Sequence, residues 1–350
     1  MKKQISFLLI LAMMVGLLAG CAGTTVVNNY YYYYYGSEEG EKPTEAPTQK
    51  PTEKPEYTGE GALKTGLAMV ASAKTTNATA DANGAVEYTV DLVAVLVDEE
   101  GKIADCVIDS IGATVKFDAT GALTSDVTAA ILSKNELGDD YGMVAWGGAK
   151  AEWYEQAEAL AQYCVGKTID QVLTGYSEDA DLATSATIYL GGYVQAIAKA
   201  VENAKSLGAE VGDELRLASQ SSLSSSANGA AQLDTDAVAM TMKDGVITSC
   251  YLDSVQAKAS MDAAGVATVG NMQTKNELGD SYNMVAWGGA KYEWYQQAEN
   301  FCAYVTGKTP ADVAGISVNE STKPADGTDL ATTVTIAIAG FQALIAKAAA

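Results

Sequence analysis

Polar and apolar residues alternate through 85–97 (AVEYTVDLVAVLV), which predicts a half-buried strand. Asp98-Glu99-Glu100-Gly101 reads as a turn. Residues 102–111 read as a returning strand and 113–118 (ATVKFD) as a third, closed by Ala119-Thr120-Gly121. The period then lengthens. Over 145–165, Trp146, Trp153, Tyr154, Ala157, Leu160, Ala161 and Cys164 recur at helical spacings. Lys150, Glu152, Glu155 and Glu158 take the other side, so an amphipathic helix is expected, stopped at Gly166. A short helix follows at 168–173, and a last helix with small residues on one side over 185–206.

The same order returns further along. Strands are expected at 230–242, 246–255 and 257–262. A helix runs through Trp287, Trp294, Tyr295, Ala298 and Phe301 to Gly307, and further helices fall at 309–313 and 333–349. Between strands and helices lies a block written twice. Lys134 to Glu158 (KNELGDDYGMVAWGGAKAEWYEQAE) returns 141 positions later as Lys275 to Glu299 (KNELGDSYNMVAWGGAKYEWYQQAE), with four of 25 positions changed. Strands first and helices after give an α+β class: two tandem copies of an antiparallel meander, each with helices on one face. The expected boundaries are 61–207 and 208–350, after a segment 1–20 and a tether 21–60.

Residues 1–20 are not part of either copy. A short basic start precedes Ile5 to Leu18, an uncharged run of fourteen. A membrane-spanning helix needs about 20 apolar residues, so this run has the proportions of a secretory signal instead. It ends in Leu18-Ala19-Gly20-Cys21, which resembles the lipobox of bacterial lipoproteins. That resemblance implies lipidation of Cys21 and a membrane partner through the lipid. It also implies localisation on the extracytoplasmic face of the cell membrane. Six tyrosines (Tyr30 to Tyr35) follow, and then a Pro/Thr/Glu/Lys-rich stretch with almost nothing to bury. It is expected to be a disordered tether.

A net charge of −22 argues against nucleic acid as a partner. The chain has no histidine, which removes Ser-His-Asp and Cys-His catalysis and His-dependent zinc sites. No catalytic constellation stands out, so an electron carrier or binding protein is expected rather than an enzyme. Cys106 and Cys250 fall at matching places, whereas Cys164 and Cys302 align with Val305 and Ala161. A disulfide repeated in each copy is therefore not expected, and the thiols read as buried and free. The tryptophans fit either a stacked flat ligand, near Trp146 and Trp153, or core packing. Residues 135–139 (NELGD) fit either a cation site or a helix cap. Gly147-Gly148 and Gly288-Gly289 are expected to allow close helix packing.

Two hydroxyl clusters precede the last helices: Asp181-Leu182-Ala183-Thr184-Ser185-Ala186-Thr187 and Asp329-Leu330-Ala331-Thr332-Thr333-Val334-Thr335. A capping hydroxyl accounts for one such residue, not for three and a repeated aspartate. The segments are similar to the flavinylation motif of the FMN-binding domains of secreted bacterial redox proteins, Asp-x-x-Ser/Thr-Gly-Ala-Thr. Asp181, Thr184, Ala186 and Thr187 match it, as do Asp329, Thr332 and Thr335. Ser185 and Thr333 stand at the motif's glycine and Val334 at its alanine. Two such domains on a lipidated tether resemble flavinylated electron-transfer lipoproteins of Gram-positive anaerobes. The resemblance implies FMN joined through its phosphate to Thr187 and Thr335, a flavin transferase and redox partners. A phosphate there is expected to meet the N-terminus of the following helix. The alternative is a flavin-free, duplicated extracellular binding or surface-interaction module on the same fold.

Overall fold

The structure, a computed structural model, describes residues 55–350. The signal segment, Cys21 and the tether up to residue 54 lie outside the described residues.

Copy one begins with a strand not anticipated from the sequence, β1 (Lys64–Thr76), followed by β2 (Gly84–Val97) and β3 (Ile103–Phe117). They form an antiparallel sheet in the order β1-β2-β3. The strands expected at 102–111 and 113–118 are one continuous element, because Gly112 stays in register opposite Thr89. Helices follow: α1 (Lys134–Leu137), α2 (Trp153–Cys164), α3 (Ile169–Gly175), α4 (Ala180–Ser185) and α5 (Gly191–Glu202). Copy two repeats the plan with β4 (Glu214–Ser222), β5 (Ala230–Lys243), β6 (Val246–Met261) and a short β7 (Ala267–Val269). Its helices are α6 (Lys275–Leu278), α7 (Trp294–Val305), α8 (Pro310–Ala314) and α9 (Ala339–Ala348). The α+β class with antiparallel sheets is as expected.

Each sheet is covered on both faces, and β2 shows how. Val86, Tyr88, Val90, Leu92, Ala94 and Leu96 point into a core shared with the other copy's sheet, beside Leu233, Ala237, Val255 and Met261. Val93, Val95 and Val97 point the other way, against Trp153, Leu160, Val194 and Ile197 of α2 and α5. The helix layer covers only the later half of that face, so the earlier positions Glu87 and Thr89 remain partly or fully exposed. Copy two builds a matching helix-side core from Val238, Met240, Trp294, Phe301, Leu344 and Ile345. The arrangement is helix, sheet, sheet, helix.

The copies grip each other reciprocally. Lys199 of α5 pairs with Glu277 of α6 and donates to the Met69 carbonyl, while Lys347 of α9 pairs with Glu136 of α1 at 2.6 Å and donates to the Ser219 carbonyl. Thr65 and Ser249 share a buried hydroxyl hydrogen bond of 2.7 Å between the sheets.

Candidate functional site

The repeated block divides into three parts with three different tasks. Its first part, Lys134 to Leu137, covers the open edge of β3. The Asn135 side chain donates to the Ile108 carbonyl at 2.9 Å, and Asp109 Oδ1 accepts from the Asn135 N–H. Asn276 repeats both contacts with Leu252 and Asp253. An uncovered edge would offer unpaired backbone groups to other chains, and this asparagine occupies one of them. Ser133 and Glu136 form a capping box, as do Thr274 and Glu277. Of the two readings for 135–139, the cap is the one observed. Among the described residues no cluster of three or more acidic or cysteine ligands is set to hold a metal.

The preceding lysine turns inward. Lys134 Nζ lies 4.8 Å from the Trp153 ring centre and 5.2 Å from that of Tyr141, and Lys275 takes the same place over Trp294 and Tyr282. Burial pulls both ammonium groups below their ordinary pKa. Asp91 and Asp109 oppose that shift in copy one, as do Asp236, Asp234 and Asp253 in copy two. Burial also raises Asp109, and it pushes Asp253 up to about 6.

The second part, 142–152, is a loop and not the first turns of a helix. The helix expected from Ala145 starts only at Trp153. Glu152, 5% exposed, accepts from the backbone N–H groups of Met143 and Val144 at 2.8 and 2.9 Å. Glu293 does the same for Met284 and Val285. Gly142 (φ 77°) and Gly148 (φ 66°) supply left-handed turns, and a Cβ on Gly147 would sit 2.7 Å from the Met143 carbonyl oxygen. The glycine pair therefore lets the loop close on itself; it does not bring helices together. The loop presents Trp146, which is 90% exposed, and Trp287, which is 89% exposed.

The four tryptophans thus split. Trp153 and Trp294 are core, the first set edge-on to Tyr193 and donating to its hydroxyl at 3.2 Å, the second edge-on to Phe341. Trp146 and Trp287 are surface, so Trp146 and Trp153 do not face one another as a pair on one helix. A seven-residue spacing places two residues on one helix face only where a helix exists, and Glu152 begins it too late.

The third part is the first turn of α2, where Gln156 is buried and faces the hydroxyl cluster. Its Oε1 accepts from the Thr187 N–H (2.7 Å), the Thr187 hydroxyl (3.1 Å) and the Ile188 N–H (3.1 Å). Gln297 holds Thr335 in the same way, at 2.7 and 3.2 Å. Sequence reasoning missed this pair, although Gln156 and Gln297 stand in the repeated block. Thr187 and Thr335 are both exposed.

The rest of each cluster is turned toward its own backbone. Asp181, Thr184 and Ser185 lie in α4, which Asp179 caps, and both hydroxyls donate to the Asp181 carbonyl. In copy two Asp329 precedes a three-residue 3-10 turn, and the Thr332 hydroxyl donates to the Asp329 carbonyl. The cluster was expected to lead straight into the last helix. Instead α5 starts at Gly191 and α9 at Ala339, so neither Thr187 nor Thr335 occupies a helix N-terminus. A surface hollow of about 490 Å³ lies elsewhere, between the Thr79–Asn83 turn and Asp118–Thr120.

Compared with models of protein families, with curated proteins and with solved structures, the chain matches none.

Proposed function

We propose that the protein is a duplicated binding module whose two anchors are Trp146 and Trp287, with envelope glycan as the ligand class. One observation carries this reading: two nearly fully exposed indoles, each on a loop fixed by a buried glutamate. A loop backbone fixed in advance leaves less freedom to be surrendered on binding. Tryptophan is also the residue most enriched where binding energy concentrates. Exposed Val144 and Val285 flank the two rings. An indole face stacks on the C–H face of a pyranose, and a glycan strand repeats, so one polymer offers a place to both copies. The charge of −22 weighs against anionic lipid as the ligand.

The test is sedimentation of the protein with purified envelope glycan, read also by tryptophan fluorescence. Trp146→Ala and Trp287→Ala should each weaken binding. Each single variant should lose a factor on the order of 10² because the avidity of two sites is gone, and the double variant should lose the remaining one-site binding as well. Undiminished binding by the double variant would refute the reading.

A second reading, FMN carried covalently on Thr187 and Thr335, is favoured by one observation. Both threonines are exposed residues whose hydroxyls donate to equivalent glutamines, so two attachment points are presented alike. The residues that would hold the flavin phosphate are those threonines, and the redox chemistry would be the cofactor's. Its test is the intact mass after co-expression with a flavin transferase. A gain of one or two FMN adducts, lost on Thr187→Ala and Thr335→Ala, supports it, and an unmodified mass excludes it.

A further inference from the structure

In each copy a cysteine on the sheet meets a cysteine on the helix above it. In copy two, Cys250 of β6 and Cys302 of α7 bring their sulfurs to 3.2 Å, closer than two sulfur atoms rest in van der Waals contact. In copy one, Cys106 of β3 and Cys164 of α2 lie in the same helix-side core, and the neighbouring Cys164 pushes the Cys106 thiol pKa up. All four are buried.

The sequence positions make this pairing informative. Cys106 and Cys250 are equivalent, since each stands three residues after an isoleucine, Ile103 or Ile247, placed at a matching bulge. Their helix partners are not equivalent: Cys164 aligns with Val305, and Cys302 with Ala161, one helical turn earlier. Thiols serving only as small hydrophobes would have no reason to shift along the helix and still meet the strand cysteine in both copies. The repeated feature is the contact, not the position.

We propose that Cys106–Cys164 and Cys250–Cys302 close as disulfides that fasten α2 and α7 to their sheets. Each pair gives up two protons and two electrons to the disulfide of an exported dithiol oxidase. That bond breaks to two thiols as the new sulfur–sulfur bond forms. The Cys250 and Cys302 sulfurs need to approach by only about 1.1 Å to reach the bonded distance. The cross-links fix the helices that carry Trp153 and Gln156, or Trp294 and Gln297, and so brace both the tryptophan loop and the threonine contact. The inference does not depend on the ligand; it rests on export to an oxidising compartment, the expectation drawn from the N-terminal segment.

The test uses the full chain from the membrane fraction of a cell that exports it. Cells are lysed directly into denaturant with an alkylating reagent, and the protein is digested with trypsin without reduction. Peptide 103–116 should be recovered joined to 151–167, and 244–258 joined to 292–308. Four separate, alkylated peptides, or crosswise linkage, would overturn the proposal. Reduction should also lower the melting temperature on the order of 5 to 10 °C for each pair. A melting temperature unmoved by reduction would likewise count against it.

Discussion

The repeated block and the hydroxyl clusters teach opposite lessons about how two copies stay alike. In the block, local geometry agrees almost to the degree: the caps Ser133 and Thr274 have φ/ψ of −71/167° and −72/165°, and Gly138 and Gly279 have 51/−126° and 50/−126°. In the clusters, local geometry differs, with a six-residue helix in copy one and a three-residue 3-10 turn in copy two. Yet Thr187 and Thr335 each reach their glutamine with a 2.7 Å backbone hydrogen bond. Where one chain segment must both cover an edge and shape a loop, its sequence is nearly fixed. Where a single contact matters, the path to it has drifted.

The largest break in this comparison should come from the tryptophans. Trp153→Ala and Trp294→Ala each empty a packed core and should cost about 3–5 kcal/mol. Trp146→Ala and Trp287→Ala should stay within about 0.5 kcal/mol. Urea unfolding measures all four, and a large loss at either exposed position would mean that the loop is not free. A smaller contrast lies in pH. Burial raises the folded Asp253 to about 6 against an ordinary 3.8, so the folded state prefers the protonated carboxyl. Its favourable contribution is complete below about pH 4 and is lost as pH rises through 6, an effect on the order of 2–3 kcal/mol. Asp253→Asn should flatten stability across that window; an unchanged pH profile would remove Asp253 as its source.

The smallest effect should be at the loop turn, where Gly142 (φ 77°) faces its counterpart Asn283 (φ 63°). A Cβ on Gly142 would overlap Trp146 Cδ1, so both Gly142→Asn and Gly142→Ala must displace the exposed indole, and asparagine, which tolerates the left-handed region, should cost less than alanine by roughly 0.5 to 1 kcal/mol. Equal costs in thermal melts would show that the loop relaxes around either side chain.

Much of this was legible in the chain. The strands at β2 and β5 and the helices α2 and α7 carry strong contrast between bulky apolar and charged residues. The strands β1 and β4 do not. β1 reads KTGLAMVASAKTT, where small residues give little contrast, and its identity comes from thirteen antiparallel partners on β2. The four thiols are buried and free, as expected, but the offset of Cys164 and Cys302 hid the nearness of each to a strand cysteine, because alignment compares positions along a helix whereas contact depends on which turn overlies the strand.

The sequence by itself determined the duplication, the α+β class, the succession of strands before helices and the buried stripe of each long helix. These follow from periodicity, which is local. Only the tertiary structure decided what covers each face, since alternation along β2 predicts one buried face, whereas a second sheet covers one side and helices cover the later half of the other. It also decided that Trp146 is exposed while Trp153 is not, through a glutamate that gathers two backbone N–H groups and delays the helix. Contacts between distant segments carry no period, and it is these that place the indoles, the threonines and the paired sulfurs.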